Sequence, residues 1–240
     1  MNDLLTLAVD AHGGLARWNK FKALNARVSM EGALWQAKGH LSEMKDMRVE
    51  TRLQEQRLVI HHIGFDKRTV FTGNRVTVET ENGRLLDFRD NPRSSYGGQV
   101  FETPWDDIHN AYFTSCALWT YLTVPFLYTY SGFAVTELSP WRENGEVWRP
   151  LQVAFPKSIP SHTQTQISYF GPDGILRRQE YTVDVLGGAP GLNYALDYRE
   201  VQGIMVPTKR RVYAYDDQKQ KVPAPILVAI DIHEIAFDSN

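Results

Sequence analysis

Residues 169–188 read YFGPDGILRRQEYTVDVLGG, and residues 194–213 read YALDYREVQGIMVPTKRRVY. In both stretches, runs rich in β-branched and aromatic residues flank a short turn signal: Gly171-Pro172-Asp173-Gly174 in the first, Gly203 in the second. Asp-Gly supplies the positive φ of a tight hairpin, and Gly203 can do the same. Pro207 then restricts the chain as it enters the next strand. The segment reads as consecutive antiparallel strands.

The same punctuation recurs upstream, in TGNR at 72–75, ENGR at 81–84 and ENGE at 143–146, with β-rich runs between. About eleven strands follow from the pattern, without βαβ alternation. ARVSMEGALW (26–35) alternates with period two, placing Val28, Met30 and Leu34 on one face of a strand. Two helical segments interrupt this. At the N-terminus (1–21), Asn2 or Asp3 caps a helix with Leu4, Leu7, Ala8 and Ala11 on one side, and His12 sits in its last turn. Gly13 and Gly14 stop it, and a further turn presents Leu15, Trp18 and Phe21 inward. In mid-chain (103–124), Thr103 is the expected N-cap, Pro104 the first helical residue, Asp106 the capping-box residue and Pro125 the terminator. That helix is apolar almost all round and should be covered on both sides.

The expectation is a mainly β fold. One domain over 1–240 would form a large curved antiparallel sheet, an open half-barrel, whose concave face is plugged by the mid-chain helix. The hairpin residues Asp197, Tyr198, Val201, Gly203, Pro207 and Thr208 resemble a motif of the LolA-type lipoprotein-carrier superfamily. The order of N-terminal helix, antiparallel strands and mid-chain helix is similar to that superfamily too. The resemblance implies a half-barrel whose apolar concave face holds acyl chains or another greasy ligand under helical lids.

Composition narrows the partners. Lys+Arg 26 against Asp+Glu 28 gives no electrostatic footprint for nucleic acid. The uncharged run from Asn110 to Thr136 is long enough for a bilayer, but Pro125, Gly132 and many hydroxyls argue for a buried helix and no stable membrane insertion. The first residues lack a basic n-region, so the chain is expected in the cytoplasm. One cysteine, Cys116, excludes an intrachain disulfide and reads as a small buried hydrophobe. No cofactor motif occurs: LGGAPG (186–191) stands between strands, where a dinucleotide loop would need a helix, and Asp231 with His233 at i, i+2 lacks the third ligand a metal site needs, so no metal is expected.

The candidate site is aromatic. Eleven of the 28 aromatic residues lie between Trp105 and Trp148, enough both to pack the helix and to wall a pocket. Trp105, Tyr112, Trp119, Phe126, Trp141 and Trp148 are the expected ligand contacts, with His162 and Gln166 as polar anchors. Gln164, Gln166 and Ser168 share one strand face, which could serve a head group if concave and would be solvated if convex. The leading reading is non-catalytic binding of a hydrophobic or amphipathic, lipid-like small molecule. The alternative is an isomerase- or cyclase-like enzyme using the same cavity, with Asp106 and His109, or His162, as the acid–base groups. The basic strand residues at 176–178 and 208–211 read as cross-strand ion pairs with acidic neighbours on a solvated face.

Overall fold

A computed structural model describes residues 2–239. After helices α1 (Asp3–Ala11) and α2 (Leu15–Trp18), the chain lays down β1 (Ala23–Glu31), β2 (Met47–Arg52), β3 (Leu58–His62), β4 (Arg68–Phe71), β5 (Arg75–Glu79) and β6 (Leu85–Asp90). The short helix α3 (Ala33–Lys38) separates β1 from β2, and α4 (Asp107–Thr123) follows β6. The second half contributes β7 (Ala134–Glu137), β8 (Trp141–Glu143), β9 (Glu146–Ala154), β10 (Thr165–Phe170), β11 (Leu176–Val183), β12 (Ala189–Val201), β13 (Ile204–Tyr213) and β14 (Val228–Asp238). These form one antiparallel 14-stranded sheet that is curved and not closed.

Its order explains the helix. The first half walks from β1 outward to the edge strand β6; the second starts at the other edge, β7, and walks back until β14 pairs with β1. The segment between β6 and β7 must therefore cross from one edge to the other. α4 makes most of the crossing, roughly 25 Å at 1.5 Å per residue. Every residue of α4 after Asp107 is buried, as its uncharged sequence requires. Among the described residues no helix is long and apolar enough to cross a membrane.

Three expectations change. Among the described residues there are fourteen strands, not about eleven; the three-residue β8 is too short to show periodicity. β1 ends at Glu31, and Leu34 belongs to α3, because Gly32 (φ 123°) turns the chain where a Cβ would stand 2.5 Å from the Leu227 carbonyl oxygen. α4 begins later than Thr103: the N-cap is Asp106, which accepts the His109 N–H at 2.8 Å. Thr103 is occupied elsewhere, its Oγ1 accepting the Val100 N–H and its carbonyl accepting Lys38 Nζ.

The hairpin glycines do more than turn. Gln202 and Gly203 both have positive φ (50° and 80°), a two-residue β12–β13 turn of the kind that matches strand twist. The Gly203 carbonyl accepts Arg17 Nη1 at 2.9 Å, and a Cβ on Gly13 would stand 2.2 Å from that carbonyl oxygen. The N-terminal helices are thus seated on the hairpin that the sequence marks most clearly. His12 caps α1 and donates Nδ1–H to the Ala8 carbonyl at 2.7 Å. Burial pulls its pKa down to about 4, so it carries no charge for the helix dipole at neutral pH.

Candidate ligand-binding site

Strand alternation and α4 together build a small, partly covered apolar pocket. α4 contributes Phe113, Ala117 and Tyr121; the sheet contributes Met30, Tyr181, Val183, Val212 and Ile230; Leu34 of α3 and Phe101 of the preceding loop close the rim. Its volume is about 60 Å³, room for about two waters. The rim is held by Lys38, whose buried ammonium donates to the carbonyls of Val100 (3.1 Å) and Thr103 (3.0 Å) and sits 4.9 Å from the Trp105 ring. Burial lowers the Lys38 pKa.

A second, open cavity of about 530 Å³ adjoins it, with Arg93, Tyr112, Lys157, Ser161, Gln164 and Asp184 in its walls. Consecutive residues face the two spaces: Tyr112 and Phe113, Ser161 and His162, Asp184 and Val183. Between them runs a strut, Arg93, which donates to the Ser161 carbonyl (2.7 Å) and to Asp184 (2.6 Å). The open cavity, a vestibule-like hollow, lies beside the apolar pocket and shares no lining residue with it.

Beyond the pocket's inner wall the concave face turns polar. Tyr121 and Tyr181 share a hydroxyl–hydroxyl hydrogen bond of 2.6 Å. Ser168, Gln179 and Asn193 form a cross-strand row on β10, β11 and β12. Tyr128 bonds Ser168 at 2.7 Å and accepts from Gln179 at 3.2 Å. Arg210 of β13 completes the row, donating to Gln179 Oε1 (3.2 Å) and the Tyr121 carbonyl (2.9 Å). Burial pulls Arg210 below the usual guanidinium range. The sequence reading put this residue on a solvated face; it is buried in the concavity. The signal was its parity with Ile204, Val206 and Val212, all inward-facing on β13.

The structure separates the expected contacts. Trp105 caps the rim, bonding Gln99 through Nε1 (2.9 Å) and packing on Phe113. Tyr112 walls the vestibule. Trp119 and Phe126 are core: the Trp119 indole donates to the carbonyls of Arg52 and Glu55, and Phe126 stacks on Trp18 at 4.3 Å. His162 walls the apolar pocket between Phe113 (4.5 Å) and Tyr181 (5.3 Å). Burial, aided by the charge of Arg93, pulls its pKa to about 3, so it is a neutral wall. Gln166 and Ser168 are buried on the concave side, and the Gln166 amide donates to the Thr163 carbonyl at 3.3 Å. Trp141 and Trp148 are misplaced in the sequence reading. They lie across the sheet in a second cluster with Tyr169 and Tyr194, because even-numbered residues of β9 face away from the concavity.

Of the acid–base candidates, His162 lines the apolar pocket, whereas Asp106 and His109 meet each other outside the lining of both cavities. His109 Nδ1 stands 2.7 Å from Asp106 Oδ1, but the imidazole is not aimed to form a hydrogen bond there. Its Nε2 lies against Ser95 (3.0 Å) and Gln99 (3.1 Å). Burial raises the Asp106 pKa, but hydrogen bonds from Arg89 and the His109 backbone outweigh it and hold the carboxyl low. Nearby, His40, Glu43 and Asp107 bring three potential metal donors together. The Lys67 ammonium bridges both carboxylates, and Asn110 donates to Glu43 at 2.8 Å. A fixed cation already balances that cluster.

No family model matches the sequence, and no curated protein matches it. Solved structures do match along its whole length. A DUF1329 family protein from Desulfovibrio piger superposes with a TM-score of 0.55 at 10% identity, covering 99% of this chain and 94% of that one. A LolA superfamily protein from Nitrosomonas europaea gives 0.53 at 12% identity, covering 97% and 91%. The fold is LolA-like. A domain described as outer membrane lipoprotein-sorting, from Vibrio parahaemolyticus, matches this LolA-like half-barrel at 0.51 with 9% identity, covering 98% and 93%. At such identities the likeness is one of backbone, and the pocket residues must be argued from their own chemistry.

Proposed function

We propose that this LolA-like half-barrel binds or carries a hydrophobic or amphipathic, lipid-like small molecule between α4 and the β11–β14 face. The observation that carries the reading is the partly covered pocket roofed by Phe113, Ala117 and Tyr121 and bordering a polar vestibule. An apolar pocket with few polar groups at its ends is the usual form of a small-molecule site. At about 60 Å³ the pocket is too small for a long acyl chain as it stands. A larger guest enters by displacing the Val100–Trp105 rim, where Val100 and Phe101 already expose 59% and 40% of their surface. Names of two structural neighbours, referring to LolA and to lipoprotein sorting, agree with a greasy cargo.

The test is titration of the full chain with Nile red, a neutral hydrophobic dye. The expected result is saturable one-to-one fluorescence, lost in Ala117→Leu while the folded structure persists. Non-saturating fluorescence, or identical binding by Ala117→Leu, rejects the pocket. The enzyme alternative receives less support: the Asp106 carboxylate is engaged by Arg89, His109 Nε2 by Ser95 and Gln99, and His162, which does line the pocket, has its pKa pulled to about 3 by burial, with no carboxylate among the described residues beside it to orient it.

A further inference from the structure

A purely apolar cargo would not require the charge that lies past the pocket's inner wall. Arg210 is 2% exposed. Its hydrogen bonds go to a glutamine and a backbone carbonyl, and it pairs with no carboxylate among the described residues. A buried cation normally has a counter-charge.

Part of the charge has a structural answer. Residue 125 is proline, which has no N–H, so the Tyr121 carbonyl cannot find its helical partner and accepts from Arg210 instead. The end of a helix offers roughly half a negative charge. The remainder is uncompensated, as are most of the five guanidinium N–H donors.

Two features converge on the same place. The Asn193 side chain is fully buried close to the Tyr121 and Tyr181 hydroxyls, and neither its amide nitrogen nor its oxygen makes a well-formed hydrogen bond among the described residues. Register sets Asn193 opposite Gln179 and Val212, beside Arg210 on the concave face. The Tyr121–Tyr181 hydroxyl pair, the second feature, belongs to two residues that line the apolar pocket, and the Tyr121 ring lies 4.7 Å from the Arg210 guanidinium. Behind the pocket's Tyr121–Tyr181 wall there thus lie a guanidinium and an amide which, with the two phenols, are all able to donate. Arg93 in the vestibule offers no equivalent, because Asp184 already answers its charge.

We propose that Arg210, Asn193 and the Tyr121–Tyr181 pair form an inner anion-recognition site, so that the cargo is a long-chain carboxylate bound head first. This rests on the pocket reading above. The two carboxylate oxygens match the guanidinium fork, and the displaced tyrosine hydroxyls donate to the same oxygens. The alkyl chain fills the space under α4.

Displacement of Nile red from the full chain tests it, with dodecanoate and 1-dodecanol as competitors. Dodecanoate should compete on the order of tenfold to a hundredfold more tightly than the alcohol. Arg210→Gln should bring that ratio to about one with the alcohol's affinity retained, as a charged hydrogen bond is lost and the tail contacts are not. Lys209→Gln, on the opposite face of the same strand, should leave the ratio intact. If Arg210→Gln does not fold, Asn193→Leu should still lower the ratio. Equal competition by acid and alcohol in the wild type overturns the inner site and leaves the pocket standing. A ratio that collapses in Lys209→Gln overturns it too, as surface attraction. Failure of Nile red to bind at all rejects the pocket itself, and the inner site with it.

Discussion

Arg178 and Arg210 lie on opposite faces of the same sheet, both buried and both among aromatic rings, yet they are built differently. On the convex side Arg178 bonds Glu143 at 2.7 Å, approaches Glu180 at 3.6 Å, and sits 4.3 Å from the Tyr169 ring and 5.0 Å from Trp141. Its charge is answered, and the β8–β9 hairpin closes over it. On the concave side Arg210 has the same kind of aromatic shell without a carboxylate. Removing one member of a buried ion pair leaves the other uncompensated, whereas removing an unpaired buried charge relieves a desolvation cost.

The strongest break of this contrast is Arg178→Met. It leaves Glu143 and Glu180 facing each other in a buried cluster and should cost about 3–5 kcal/mol in urea unfolding. A loss below about 1 kcal/mol would mean the convex cluster is solvated and not a brace.

Acid should act next, through the concave side. His12 and His162 are held neutral by burial, with pKa values pulled to about 4 and about 3 from 6.5. The unfolded chain binds protons that the folded one refuses, so stability falls as pH drops below about 6.5 and continues falling toward 4. Each histidine contributes up to about 1.4 kcal/mol per pH unit across that window. His162→Phe should flatten the pH dependence of the unfolding midpoint between 6.5 and 4; an unchanged slope would place His162 in contact with water.

Arg210→Met should then cost no more than about 1 kcal/mol, since the lost hydrogen bonds are offset by removing a desolvated charge. A cost near that of Arg178→Met would make the two arginines equivalent braces and erase the difference. The smallest effect concerns the rim. Lys38→Met keeps the buried stem but frees the Val100 and Thr103 carbonyls, so stability should shift by about 1 kcal/mol or less while Nile red associates faster in stopped flow. An unchanged association rate would show that the rim is not the way in.

Much of the fold was legible in the sequence, for local reasons. The Pro-Asp-Gly turn at 171–174, the Gly203 hairpin and Pro125 at the end of α4 each impose a backbone geometry on their neighbours. The site was less legible. Trp141 and Trp148 share an aromatic-rich segment with Trp105 and Trp119, but β-strand parity sends them to the convex face. His162, expected as a polar anchor, lies between rings contributed by α4 and β11, and the burial they impose leaves it neutral.

The sequence by itself determined the antiparallel strands, the buried mid-chain helix and the positions of the turns, because periodicity and glycine or proline geometry act over a few residues. Only the tertiary structure decided which face each strand turns inward, that β14 joins β1, and that α4 must cross between the two edges. Those choices depend on strand pairings between residues up to 215 positions apart, such as Ala23 with Asp238. They also decide which buried arginine meets a carboxylate and which does not.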